Sequence, residues 1–129
     1  MARSYRDLLV WQKAKALAVR LYNETESFPK NETYGLSSQV RRASVSVVSN
    51  IAEGQGRLTR GEFLHFLGQA RGSLLEVDAQ MAIALDLGYV QEKSYAEIDH
   101  DLYQVLGLLN RLIESLRTKP ATNFETLKP

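Results

Sequence analysis

Apolar residues recur along this chain in steps of four and three. Val10, Ala14, Leu17 and Leu21 form a first run, and Leu36, Val40, Ala43, Val47 and Ile51 a second. A third holds Phe63, Leu67, Ala70, Leu74, Val77, Met81 and Ala84, and a fourth Ile98, Leu102, Val105, Leu109, Leu112 and Leu116. Such steps keep one face of an α-helix apolar and suit nearly parallel packed helices. No segment shows the strict alternation of a half-buried strand. The runs predict helices over about residues 7–27, 36–54, 59–87 and 94–118. Breaks fall at Phe28-Pro29, Gly54-Gln55-Gly56 and Leu87-Gly88-Tyr89, because proline restricts its predecessor and glycine accepts left-handed turns. Short connections make consecutive helices antiparallel. The expected fold is all-α, an up-down-up-down antiparallel four-helix bundle over residues 1–118. Residues 119–129 have no apolar period and are expected to form a disordered tail.

The helix ends carry capping chemistry. Asp7 is predicted to cap the first helix, Thr59 the third and Ser94 the fourth. Thr59-Arg60-Gly61-Glu62 and Ser94-Tyr95-Ala96-Glu97 both have the spacing of a capping box. Gly54 and Gly56 read as the glycine stop of the second helix.

Two helices are apolar on a second side. Val45, Val48 and Ala52 lie nearly opposite the first stripe of their helix. Leu64, Gly68, Gly72, Leu75, Ala79 and Ala82 do the same on the third. A glycine inside a helix costs about 1 kcal/mol relative to alanine, so Gly68 and Gly72 suggest close approach by another backbone. A subunit interface through Val45, Val48, Ala52, Leu64, Gly68 and Gly72 is expected. Trp11, Ala18 and Tyr22 widen the first helix in the same way, and Trp11 reads as packed.

Composition narrows the classes. The chain has 129 residues, enough for one domain with its own core. It has no cysteine, which excludes disulfides, thiolate metal sites and thiol catalysis and fits a reducing compartment. No signal-peptide layout and no run of about 20 apolar residues is present, so a cytoplasmic, non-membrane protein is expected.

The net charge of +1 gives no overall push toward nucleic acid. In the expected topology, however, nine basic residues gather at one end against four acidic ones. The other end has nine acidic residues against three basic. Arg3, Arg6, Arg57 and Arg60 at the basic end are candidate phosphate contacts, with no base readout implied. Arg41 and Arg42 are candidates for salt bridges between subunits.

No catalytic constellation stands out. Gly54-Gln55-Gly56 lacks the strand and Gly-Lys-Ser/Thr ending of a phosphate loop. His65 and His100 lie on different helices and read as surface residues, so no metal site and no cofactor is expected. Ser46, Asn50 and Glu53 share a polar strip beside the core. Ser46 has no evident base, and hydrogen bonds fixing helix register are the favoured role. Glu53 is placed to pair with Arg42 or Arg57, or to take part in the subunit interface.

Several segments together carry a family resemblance. They are Asp7-Leu8-Leu9-Val10-Trp11-Gln12, Phe28-Pro29, Tyr34-Gly35-Leu36, Gln39-Val40-Arg41-Arg42-Ala43, Ser46 and Asn50-Ile51-Ala52-Glu53-Gly54. Glu62-Phe63, Phe66-Leu67, Ala70-Arg71-Gly72-Ser73-Leu74 and Leu87-Gly88-Tyr89 complete them. From about Tyr5 to Leu116 the chain resembles the four-helix-bundle proteins encoded in intervening sequences of 23S rRNA genes. It is also similar to the accessory variability protein of diversity-generating retroelements. The resemblance implies a homopentameric ring, binding of RNA or DNA, and work alongside a nucleic-acid-processing protein. Many members have proline where this chain has Val48, and that proline would kink the second helix. The expected function is therefore that of a non-enzymatic homo-oligomer binding nucleic acid through basic residues. The alternative is a protein-interaction scaffold or structural protein without direct nucleic-acid binding.

Overall fold

The computed structural model describes residues 4–118, so Arg3 and the expected tail at 119–129 lie outside the described residues. Four helices follow in order: α1 (Leu9–Thr25), α2 (Leu36–Gln55), α3 (Arg60–Asp86) and α4 (Glu92–Thr118). Short 3-10 turns at Tyr5–Asp7 and Lys30–Glu32 precede α1 and α2. Each helix packs against its sequence neighbours, and α1 closes the square against α4. The pairing is antiparallel throughout. Arg71 bonds Asn110 and Asp78 bonds Tyr103, so register rises along α3 as it falls along α4. Among the described residues there is no strand, and no helix is long and apolar enough to cross a membrane.

The four–three stripes form the core. Val10, Ala14, Leu17 and Leu21 from α1 meet Val40, Ala43, Val47 and Ile51 from α2. Leu67 to Ala84 on α3 and Ile98 to Leu116 on α4 complete it. Each fully buried Leu, Ile, Val or Met stabilises the fold by about 1.5–3 kcal/mol relative to exposure. Leu36, Phe63 and Leu112, nearer the ends of the stripes, are half-buried against the same cluster.

The helix ends differ from the sequence expectation in three places. Asp7 does not cap α1. Ser4 caps the preceding 3-10 turn, and Asp7 accepts the Ser4 N–H as the far member of that capping box. The pattern Ser4-Tyr5-Arg6-Asp7 thus acts one turn earlier. Ser94 does not cap α4, because the Tyr95 N–H already bonds the Gln91 carbonyl and the helix begins at Glu92. Glu92 suits that first turn, where the helix dipole favours a negative charge. Thr59 does cap α3, accepting from the Glu62 N–H at 3.1 Å.

The third difference concerns glycine. Gly54 lies within α2, and Gly56 ends that helix in a right-handed conformation. The left-handed stop is at Gly88 (φ 76°) instead. There the Tyr89 N–H bonds the Ala84 carbonyl and the Gly88 N–H bonds the Leu85 carbonyl. That pair of bonds is a Schellman motif closing α3. Gly54 serves another purpose. A Cβ there would lie 2.8 Å from the Phe66 Cβ and 3.1 Å from the Phe63 Cδ1. The glycine admits α3 to close contact with α2. Through Val48, where the resemblance points to proline in other members, α2 runs unbroken.

Candidate nucleic-acid interface

The α2–α3 loop and the turn before α1 place the candidate arginines. Arg57 follows the end of α2, and its guanidinium lies 3.0 Å from Glu53 and 3.9 Å from Glu62. The same group stacks over the Phe66 ring at 4.6 Å. Arg57 is thus a held and partly neutralised cation. Glu53 pairs with Arg57, one helical turn away, and not with Arg42. Arg60 is the first residue of α3 and is half-buried. Arg6 is exposed on the 3-10 turn, 5.7 Å from the Tyr5 ring. That turn packs against α1 and α2, which brings it to the same end of the bundle as Arg57. Between the arginines, Leu58 is 84% exposed at the tip of the loop. It lies outside every apolar stripe, so no periodic signal in the sequence marks it.

At the other end, carboxylates have local partners. Arg20 pairs with Glu97 at 2.9 Å and holds its carboxyl below the usual range. Glu32 accepts from the Leu36 N–H and from the Tyr89 hydroxyl, and both lower its pKa. Between α3 and α4, burial and the facing Asp78 push Asp99 up.

Arg41, a candidate for contact with a second subunit, is engaged within its own chain. It bonds Thr25 Oγ1 at 2.8 Å, the Tyr22 carbonyl at 3.1 Å and Glu26 at 3.0 Å. Its guanidinium also covers the Tyr22 ring. The residue therefore ties α2 to the end of α1. Arg42 instead borders a polar groove between α2 and α3, with Ser46, Ser73 and Glu76.

The candidate interface residues separate into two faces. Val45, 43% exposed, and Val48 border an apolar groove of about 420 Å³ with Ala18, Val19 and Tyr22 of α1. Ala52, half-buried, lies on the same side of α2. Gly68 and Gly72 are exposed on α3, where a methyl group at either position would meet nothing within 4 Å. Leu64, half-buried, continues that stripe toward the start of α3. Among the described residues, none supplies the backbone approach expected at the two glycines.

The polar strip of α2 is a helix tie. Ser46 Oγ lies 2.8 Å from Ser73 Oγ on α3, and the Asn50 amide donates to the Ser46 carbonyl and hydroxyl. Trp11 packs edge-on against Tyr5. His65 and His100 are exposed, and among the described residues no three metal-ligating side chains cluster.

An antiparallel four-helix bundle with an arginine-bearing end and two open apolar faces is the class these features define. The family model for 23S rRNA-intervening sequence proteins matches residues 6–111, and the chain belongs to that family. No curated protein matches it. A similar solved structure is the 1.70 Å crystal structure of a protein of unknown function from the S23 ribosomal protein family of Bacteroides thetaiotaomicron VPI-5482. It shares 23% identity and a TM-score of 0.76, covering 82% of this chain and 96% of that one. At that identity the likeness concerns the fold alone.

Proposed function

We propose that this protein is a non-enzymatic, cytoplasmic homo-oligomer, a ring of five bundles, that binds nucleic acid through its arginine-bearing end. The observation that carries the binding is the placement of Arg6, on the turn before α1, and of Arg57 and Arg60, flanking the exposed α2–α3 loop, at one end of the bundle. Assembly is supported by the open apolar groove at Val45 and Val48 and the open glycine stripe of α3. Because the two faces lie on different helices, they suit head-to-tail contact, the geometry that closes rings. A ring would repeat a modest basic patch and add avidity. The resemblance to retroelement accessory proteins supports a nucleic-acid-processing partner. Ser46 offers no nucleophile, since its hydroxyl engages Asn50 and Ser73 and neither is a base.

The test is fluorescence anisotropy of labelled RNA and DNA against salt. Arg57→Ala with Arg60→Ala should weaken binding and flatten the salt slope by about one unit per lost phosphate contact. Lys30→Ala with Lys93→Ala, at the other end, should change it much less. Light scattering on Val45→Glu with Val48→Glu tests assembly, and the double variant should dissociate. Equal weakening by the two basic pairs defeats the end-specific reading. A second reading is a protein-interaction scaffold. It is favoured by the pairing of Arg57 with Glu53 and Glu62, which spends part of the charge a phosphate would need. Parent protein that ignores nucleic acid at low salt but still assembles would select it.

A further inference from the structure

Between α1 and α4 runs a groove of about 360 Å³ that is built differently from the arginine-bearing loop. Lys13 of α1 and Arg111 of α4 both line it, and both are exposed. Among the described residues neither makes an ion pair within 4 Å, in contrast to Arg57 with its two carboxylates. Gly107 also lines the groove, in mid-helix, where a methyl would meet nothing within 4 Å. Glycine weakens a helix interior, and here no contact among the described residues offsets that loss. The missing side chain leaves room for a ligand to approach the α4 backbone.

Tyr103 stands at the same groove, half its surface exposed. Its hydroxyl donates to Asp78 at 3.1 Å, which fixes the ring against α3. Leu9 and Leu108 add apolar surface beside it. Two cations with no ion pair among the described residues, an anchored aromatic ring and an open floor are the parts of a single-strand site. Cations take the phosphates and the ring takes a base by stacking, without sequence readout. A duplex does not fit. Packed helices lie about 8–10 Å apart, and the groove between them is too narrow for two strands. Asp101, lining the continuation of the groove past Lys13, repels phosphates and limits the length of strand held.

Resting on the nucleic-acid reading above, we propose that the α1–α4 groove is a binding site for single-stranded nucleic acid. Lys13 and Arg111 hold the backbone there, and Tyr103 stacks a base.

The experiment is anisotropy of a fluorescein-labelled 12-nucleotide oligouridylate, beside an RNA duplex of equal length, on the full chain. The parent should prefer the single strand. Lys13→Ala with Arg111→Ala should weaken it about tenfold or more at low salt. The salt slope should flatten by about 1.4, from two contacts at about 0.7 each. Tyr103→Ala should weaken binding about fivefold or more, and Tyr103→Phe, which keeps the ring, much less. Gly107→Leu fills the floor, leaves every charge in place and favours the helix, and it should abolish the preference for single strands. Parent protein that binds neither probe overturns the nucleic-acid reading together with this site. Parent binding that survives both Gly107→Leu and the Lys13 and Arg111 double substitution, but is lost in the Arg57 and Arg60 variant, overturns the groove alone. A preference for duplex also overturns it.

Discussion

The two sides of α3 meet their surroundings in opposite ways. Toward α2 the helices touch so closely that Gly54 leaves no room for a methyl beside Phe63 and Phe66. Ser46 and Ser73 add a hydroxyl tie farther along the same seam. On its outer side, Gly68 and Gly72 face open space, and toward α4 Asp78 confronts Asp99. A glycine in a helical run therefore has no fixed meaning. Its value depends on whether a second backbone arrives, and among the described residues one arrives at Gly54 and none at Gly68 or Gly72.

The contrast is sharpest at Gly54. Gly54→Ala should destabilise the protein by about 1–3 kcal/mol by overpacking, measured by chemical denaturation. The obstructing Phe66 Cβ is fixed by its backbone and cannot rotate away. A stabilised variant would break the comparison. Smaller and opposite in sign, Gly68→Ala and Gly72→Ala should each stabilise the helix of the separate chain by about 1 kcal/mol. If a neighbouring copy closes on this stripe, the same alanines should loosen the oligomer in light scattering while the melting temperature of the dissociated chain rises.

The smallest effect concerns the α3–α4 seam and pH. Burial and Asp78 raise Asp99 above its ordinary 3.8, so the folded chain holds that proton more tightly than the unfolded one. Asp99 therefore opposes folding once ionised. Its penalty is relieved as pH falls through the raised value toward 3.8. Glu32 and Glu97 work the other way, since their lowered values give stability that is lost as pH falls below about 4.5. Asp99→Asn isolates the first contribution. The variant should be more stable than the parent at pH 7, and the difference should shrink in acid. A constant difference across pH would place its origin elsewhere.

The helical faces were legible because burial on a bundle follows one period, and Val10 through Leu116 obey it. Thr59 was legible because its cap involves residues three apart. Arg41 was not, since its partners Thr25 and Glu26 lie on the preceding helix and its turn, beyond the reach of any helical period. Asp7 and Ser94 misled because the backbone starts its turns earlier: Asp7 is taken up in the capping box of Ser4, α1 begins with no side-chain cap at Leu8, and α4 already begins at Glu92. For the candidate sites, charge segregation could be counted from the topology, whereas pairing could not. Composition puts Arg57 among the basic residues but does not weigh how Glu53 and Glu62 spend its charge. Lys13 and Arg111 belong to the first and last helices, and only closure of the bundle brings them to one groove.

The Tyr89 hydroxyl bond to Glu32, with the Phe28 ring packed at a tilt 5.4 Å from the Tyr89 ring, joins the α1–α2 and α3–α4 connections. Two loops far apart in sequence are thereby stapled into one lid over that end of the barrel of helices. The opposite end has a single connection, between α2 and α3. Amide hydrogens should therefore exchange asymmetrically, slowly beneath the stapled loops and faster where α1 begins and α4 finishes. Local opening should therefore start at the end that carries the arginines, with the stapled end the last to lose protection.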